Sequence, residues 1–204
     1  MLSGFFGGAA SGRKAHPFGR DPFAEGLLLT GEHLLLRPLQ GTDTQAMFTY
    51  ASDPEVTRFR PWEPAPEAES VRPFLQDQVG RRERRESLGL AVILRETNEM
   101  IGSTDLMDLK RTRGQAELGY LLARSYWGRG LMTEAARLTL EHGFGRLRLT
   151  CIRAYADAAN QGSRRVLQKI GMGVVGHEIR TVHKEDRPYV QYEIRRGEWL
   201  ARQK

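Results

Sequence analysis

The chain has one cysteine in 204 residues, Cys151. An intramolecular disulfide and a multi-cysteine zinc site are thereby excluded. The setting Leu149-Thr150-Cys151-Ile152 reads as buried strand, where a thiol behaves as a small apolar group. Five histidines, His16, His33, His142, His177 and His183, share no metal-ligand spacing, so no metal is expected. There is no Gly-x-Ser-x-Gly elbow and no Gly-x-x-x-x-Gly-Lys-Ser/Thr loop, which removes two common designs for nucleophiles and nucleotides. No apolar run is long enough to span a bilayer. Residues 1–12 lack an early cationic region and a sustained apolar core, so they make a poor secretory signal and the cytoplasm is the expected compartment.

What is present is an ordinary globular balance, 40% hydrophobic and 27% charged residues. With no repeat and no internal linker, residues 27–204 are expected to form one domain. Residues 1–26 hold six glycines with little periodicity and are expected to be a flexible extension, able to dock through Phe5, Phe6 and Phe18. The net charge is +6 and the pI about 9.8, which favours a nucleic acid, a ribosome surface or a phosphorylated cofactor without choosing among them. The run Arg81-Arg82-Glu83-Arg84-Arg85-Glu86 is interrupted by acids and reads as a solvated helix face.

Periodicity and punctuation predict strands over 34–39, 88–96, 100–110, 115–123, 150–156, 174–183 and 188–195. Helices are predicted from a cap at Thr42 or Asp43 to Ala51, then over 67–85, 131–144 and 161–170. Asp53-Pro54 is expected to end the first helix and Gly171 the last. The order implies a mixed α/β sheet with antiparallel meanders and parallel crossovers.

The most informative stretch is Ser125-Tyr126-Trp127-Gly128-Arg129-Gly130-Leu131-Met132-Thr133-Glu134-Ala135-Ala136, between a predicted strand and a predicted helix. The first N–H groups of a helix have no partner within it, and its dipole adds positive charge there. Glycines let an anion approach the backbone closely. Alone, such a turn also serves mere strand–helix packing. A dinucleotide fingerprint fails, because Thr133 stands in place of the third glycine. Asn160 suits a helix N-cap, with Ser163 in the first turn.

Glu117-Leu118-Gly119-Tyr120, Trp127 to Ala135, Asn160-Gln161-Gly162-Ser163 and Lys169-Ile170-Gly171-Met172, in this order and at these spacings, resemble the GNAT superfamily of acyl-CoA-dependent N-acetyltransferases. Arg60-Pro61-Trp62-Glu63-Pro64 is similar to its RimJ/RimL-type branch, which acetylates N-terminal amines of ribosomal proteins. The likeness covers about residues 30–200. Ser125 stands where the family's Gln/Arg-x-x-Gly-x-Gly/Ala pattern begins with Gln or Arg.

The resemblance implies the GNAT fold: a central, mostly antiparallel sheet splayed between the fourth and fifth predicted strands and flanked by four helices. It implies acetyl-CoA as co-substrate, its pyrophosphate on the amides of Trp127, Gly128, Arg129, Gly130, Leu131, Met132 and Thr133, with Arg124 and Arg129 adding charge. The main chain of Leu121 and Leu122 would meet the pantetheine arm, as would Asn160, and Ser163 would lie near the sulfur. Trp62, Glu63 and Tyr120 would line the acceptor pocket. Glu117 is the expected base, acting through water. The family's acidic tyrosine on the 161–170 helix is replaced by Leu167, which leaves Ser163 as substitute.

The expected acceptor is a protein α-amine such as a ribosomal-protein N-terminus, attacked directly in a ternary complex, by a monomer or homodimer. A small amine (amino acid, polyamine or aminoglycoside) and a non-catalytic acyl-CoA- or RNA-binding module stand as alternatives. The aromatic, arginine-interleaved strands of an RNA surface are not evident, so no nucleic-acid partner is expected.

Overall fold

The run Leu88-Gly-Leu-Ala-Val-Ile-Leu94 carries no polar side chain, and every residue of it is buried. A strand apolar on both faces must be covered on both, and this one lies inside an eight-stranded sheet with helices on either side. The computed structural model describes residues 21–110 and 112–203. Most of the 1–26 extension therefore lies outside the described residues. Its last part packs on the domain: Phe23 belongs to the core, and the Pro22 carbonyl lies 3.0 Å from His142 Nε2.

The strands are β1 (Leu29–Thr30), β2 (Leu34–Pro38), β3 (Leu88–Leu94), β4 (Glu99–Lys110), β5 (Gln115–Leu122), β6 (Cys151–Asp157), β7 (Gly173–Val182) and β8 (Glu185–Arg195). Their order in the sheet is β1-β2-β3-β4-β5-β6-β8-β7. All neighbours are antiparallel except β5 and β6. That parallel pairing covers only Gln115↔Cys151, Ala116↔Ile152 and Glu117↔Arg153. Beyond Glu117, β5 stays paired with β4 through Leu122, while β6 stays paired with β8 through Asp157. The sheet therefore opens into a splay between β5 and β6. This is the GNAT-type opening expected between the fourth and fifth predicted strands.

One face is covered by α1 (Thr44–Ala51), α2 (Pro54–Thr57) and α3 (Arg72–Glu83), over a core of Leu39, Met47, Tyr50, Val56, Val71 and Leu75 against Ala91 and Ile93. The other is covered by α4 (Leu131–Gly145) and α5 (Gln161–Lys169). In α4 the buried residues Leu131, Met132, Ala135, Ala136, Thr139, Leu140, Gly143 and Phe144 recur as one helical stripe. Strand alternation then assigns each side chain beside the splay. Asp105, Glu117, Gly119 and Leu121 face the α1–α3 side, whereas Leu106, Leu118, Tyr120 and Leu122 face α4.

Three local expectations differ from the fold. Asp53-Pro54 does not simply stop a helix. It opens α2, because proline's fixed φ suits the first helical turn and Asp53 Oδ1 accepts the Glu55 N–H at 2.9 Å. Asp43 does not cap α1 with its side chain; Arg37 binds its carboxylate at 2.6 and 2.9 Å. A last helix, α6 (Arg196–Ala201), follows β8, too short to leave a periodic signal. It is held by Glu198, which accepts the Arg195 N–H at 2.9 Å, and by Trp199, whose ring centre lies 6.0 Å from that of Phe144. Trp199→Ala should therefore lower the unfolding free energy by about 3 kcal/mol, as for other large buried aromatics. A loss under about 0.5 kcal/mol in urea denaturation would show that α6 is not part of the cooperative core.

Candidate active site

The turn from β5 to α4 is built by two left-handed glycines. Arg124–Tyr126 form a short 3₁₀ turn after Ala123, with Tyr126 N–H donating to the Ala123 carbonyl at 3.0 Å. Gly128 and Gly130 then take φ of +76° and +80°, a region closed to most L-residues. A β-carbon added at either would meet nothing within 4 Å, so the space above them is open. The first helical hydrogen bond is Glu134 N–H to the Gly130 carbonyl at 3.1 Å. Among the described residues, no acceptor meets the N–H groups of Gly128, Arg129, Gly130, Leu131, Met132 or Thr133. Six consecutive donors at a helix start, with open space before them, fit a diphosphate. Arg124 and Arg129 are exposed beside this loop, and the Arg129 guanidinium lies 5.5 Å from the Tyr126 ring centre.

At the other side of the splay, Asn160 Oδ1 caps α5 by accepting the Ser163 N–H at 3.0 Å. Ser163 also meets Tyr120, whose hydroxyl lies 3.0 Å from both the Ser163 carbonyl and Oγ. Burial holds the Tyr120 phenol well above its ordinary pKa, so it stays protonated. Leu167 is buried in the core.

The main-chain groups of β5 are allotted by the ladder. Ala123 N–H donates to the Ile101 carbonyl at 2.8 Å, and alternation from that bond turns Leu121 toward β4 and leaves Tyr120 and Leu122 facing the splay. Leu121, expected beside the pantetheine arm, thus turns its main chain to β4, while Leu122, also expected there, turns its main chain to the splay. Both outward carbonyls already have donors: Arg60 Nη2 binds that of Tyr120, and Trp127 Nε1 binds that of Leu122 at 2.8 Å.

The α1–α3 side of the splay is polar. Glu117 is half-buried, and burial raises its carboxyl above the usual range against the opposing pull of Arg180. Asp105, opposite Gly119, is pushed up to about 6 by burial, with Arg60 and Arg81 opposing. Neither acid makes an ion pair within 4 Å among the described residues. The nearby acids do: Asp157 with Arg187 at 3.1 Å, Glu178 with Arg180, and Glu63 with His183 at 2.9 Å. The Arg180 guanidinium lies 3.8 Å from the Tyr155 ring centre and 5.1 Å from that of Tyr189. Tyr189 and Arg187 tie the β7–β8 hairpin to the carbonyls of Phe59 and Arg58.

The structure thus brings Trp62, Glu63 and Glu117 to one side of the sheet and Ser163 and Asn160 to the other. Tyr120 joins the latter group, not the acceptor pocket expected for it, because strand alternation points its ring toward α5. Trp62 is partly exposed, 5.4 Å from the Arg60 guanidinium. Arg60, Asp105 and Arg180 escaped the sequence reading. Asp105 follows Ser103 and Thr104 in β4, so no break in an apolar run marks it, and its partner Gly119 becomes visible only with the strand register. Two surface cavities, of about 580 and 310 Å³, contain no residue of the splay.

A family model described as the Acetyltransferase (GNAT) domain matches residues 33–173. The chain belongs to the GNAT family. It is 30% identical over 139 residues to N-acetyltransferase p20 of Bacillus licheniformis, covering 68% of this chain and 78% of that one. The spermidine N(1)-acetyltransferase of Escherichia coli K12 is 26% identical over 145 residues, 69% of this chain and 73% of its own. The solved ribosomal-protein-S5-alanine acetyltransferase of Vibrio fischeri superposes with a TM-score of 0.72 at 20% identity, covering 85% and 98%. The chain is an acetyl-CoA-dependent GNAT N-acetyltransferase, with acetyl-CoA as co-substrate.

Filling the open cradle tests the diphosphate site. Gly130→Val should weaken acetyl-CoA binding at least tenfold by calorimetry, at a loss of about 1–2 kcal/mol in stability from left-handed strain. Unchanged cofactor affinity in a folded variant would displace the diphosphate from this loop.

Proposed function

We propose that the acceptor is the α-amine of a polypeptide, and that this GNAT enzyme acetylates it by direct attack. The observation that carries this reading is the distribution of charge on the acceptor side. Among the described residues, Asp105 and Glu117 are the acids there without an ion-pair partner, and they are diagonal neighbours, so one ammonium is served. Around them Arg58, Arg180 and Arg187 are each tied to an acid while keeping further N–H groups. Such donors suit the carbonyls of a peptide better than the spaced ammonium groups of a polyamine. The Arg60 to Pro64 segment, similar to the RimJ/RimL-type branch, supports the same choice.

The residue roles follow from the two sides of the splay. The acyl thioester supplies an activated carbonyl, so positioning carries much of the rate. Amides 128–133 would hold the diphosphate, and Asn160 with the outward groups of Tyr120 and Leu122 would flank the arm. Glu117 takes a proton from the incoming ammonium through water; its raised pKa makes it a better base than an ordinary carboxylate. The Ser163 hydroxyl, in contact with the protonated Tyr120 phenol, returns a proton to the leaving sulfur.

Thiol release from acetyl-CoA separates the acceptors. Peptides with a free α-amine should exceed spermidine, aminoglycosides and free amino acids at least tenfold in kcat/KM. A preference for spermidine would overturn the peptide reading and install a polyamine. The base is tested by pH. Glu117 is active when ionised, so kcat should rise with pH through its pKa in the wild type. Glu117→Gln should lower kcat at least tenfold and remove that rise; an identical kcat profile in both forms would exclude Glu117 as base.

A further inference from the structure

Glu134 stands in the first turn of α4, directly after the bare amides of Gly128 to Thr133, and its carboxylate bonds to another part of the sheet. Oε1 accepts the N–H of His33 at 2.9 Å and that of Leu34 at 3.1 Å, and Oε2 lies 3.0 Å from His33 Nδ1. These partners belong to the turn between β1 and β2. The turn is itself held. Gly31 N–H donates to the Leu34 carbonyl at 2.9 Å, and Arg95 N–H to that of His33 at 2.9 Å. Arg95 Nη1 donates to the carbonyls of Gly31 and Glu32 at 3.0 and 2.8 Å. Arg95 follows β3 directly, so the turn is fixed to the end of a fully buried strand. Its fit against α4 is close: a β-carbon at Gly31 would stand 2.2 Å from Glu134 Oε1 and 3.0 Å from Leu138 Cδ1, one helical turn further on.

An acid in a first turn can serve simply by complementing the helix dipole from solvent. The Glu134 side chain is only 21% exposed and accepts hydrogen bonds from a different element. The bare stretch needs such a tie. Leu131 and Met132 sink into the core, but apolar packing has no direction and sets depth better than heading. The last directional bonds before the loop are those of Trp127, whose N–H and Nε1 reach the carbonyls of Arg124 and Leu122. The next side-chain bond to another element, going along the chain, is that of Glu134.

We infer that Glu134 is a positioning residue for the cofactor: it clips the first turn of α4 to the β1–β2 turn and so fixes the heading of the amides that grip the diphosphate. The inference rests on the diphosphate reading of that loop and adds the element that aims it. Glu134 acts through the helix and not on the cofactor. Both main-chain donors fall on Oε1, so the clip needs an acceptor oxygen at the end of a side chain of this length and does not need a charge. Glutamine keeps that oxygen and alanine removes it. A methyl group at residue 31 leaves Glu134 in place and pushes its flexible carboxylate off both donors.

Three variants test the clip. Glu134→Ala should weaken coenzyme A binding by about tenfold or more in calorimetry, because a small misplacement of the donors is costly. Its affinity for pantetheine, followed by NMR titration, should stay as in wild type, since pantetheine carries no diphosphate. Glu134→Gln should bind coenzyme A nearly as wild type does. Gly31→Ala should weaken coenzyme A with Glu134 intact, and it carries the test if Glu134→Ala does not fold. Thermal melts report which variants are folded. Wild-type affinity for coenzyme A in folded Glu134→Ala or Gly31→Ala overturns the clip. So does an equal loss in the Gln and Ala variants, which would make the effect one of charge on the helix dipole. An equal loss for pantetheine and coenzyme A would mark general loosening and overturn it as well. If Gly130→Val leaves coenzyme A affinity unchanged, the diphosphate reading falls and the clip with it. If Gly130→Val weakens binding and these variants do not, the loop stands and only the clip falls.

Discussion

The amides from Gly128 to Thr133 are donors that the fold itself cannot satisfy. They are left bare because two left-handed glycines turn the chain out of β5 and start α4 without a capping side chain. Bare donors in a row attract an anion, and the helix dipole points the same way. What turns an anion seat into an enzyme is its placement. The loop follows directly on the strand whose pairing with β6 lapses after three residue pairs. The lapse opens a slot through the sheet, with the main chain of Tyr120 and Leu122 on its wall. On the proposed reading, a thioester anchored by its diphosphate on the α4 side would be aimed through the sheet at an amine arriving from the α1–α3 side.

The two sides differ in electrostatics as the reaction requires. On the α4–α5 side, a protonated phenol and a serine hydroxyl sit together, a pair suited to giving up a proton. On the other side two carboxylates are held above their ordinary pKa by burial, a pair suited to binding and discharging an ammonium. The arginines between them are not spare charge. Each is tied to an acid, to a tyrosine ring or, for Arg60, to a backbone carbonyl in the splay. Much of the positive charge beside the splay is thus already paired, which reconciles a pI near 9.8 with the proposed cationic acceptor.

Much of this was legible in the sequence, for identifiable reasons. The long elements announced themselves by period: the stripe of α4 and the apolar run of β3 read as they fold. The glycine turn and the Asn160 cap are local devices whose geometry is set within a few residues, so the residue types suffice. What stayed hidden depends on register. Whether Leu121 or Tyr120 presents its backbone to the splay turns on a single step of alternation, which ladder pairing fixes and composition does not. That Asp105 shares a sheet face with Glu117 follows only from its pairing with Gly119, fourteen positions away. The 58–66 loop showed its residues but not that Arg60 reaches the Tyr120 carbonyl. The final helix was missed because one and a half turns leave no period to find.

The central claim is that main-chain donors, not a cationic side chain, grip the cofactor's diphosphate. Amide-resolved NMR during titration with coenzyme A, and separately with pantetheine, which lacks the diphosphate, tests it most directly. Large shifts of the Gly128 to Thr133 amides with coenzyme A, and none of that size with pantetheine, are the expected result. Coenzyme A bound at saturation while those six resonances stay in place would contradict the account.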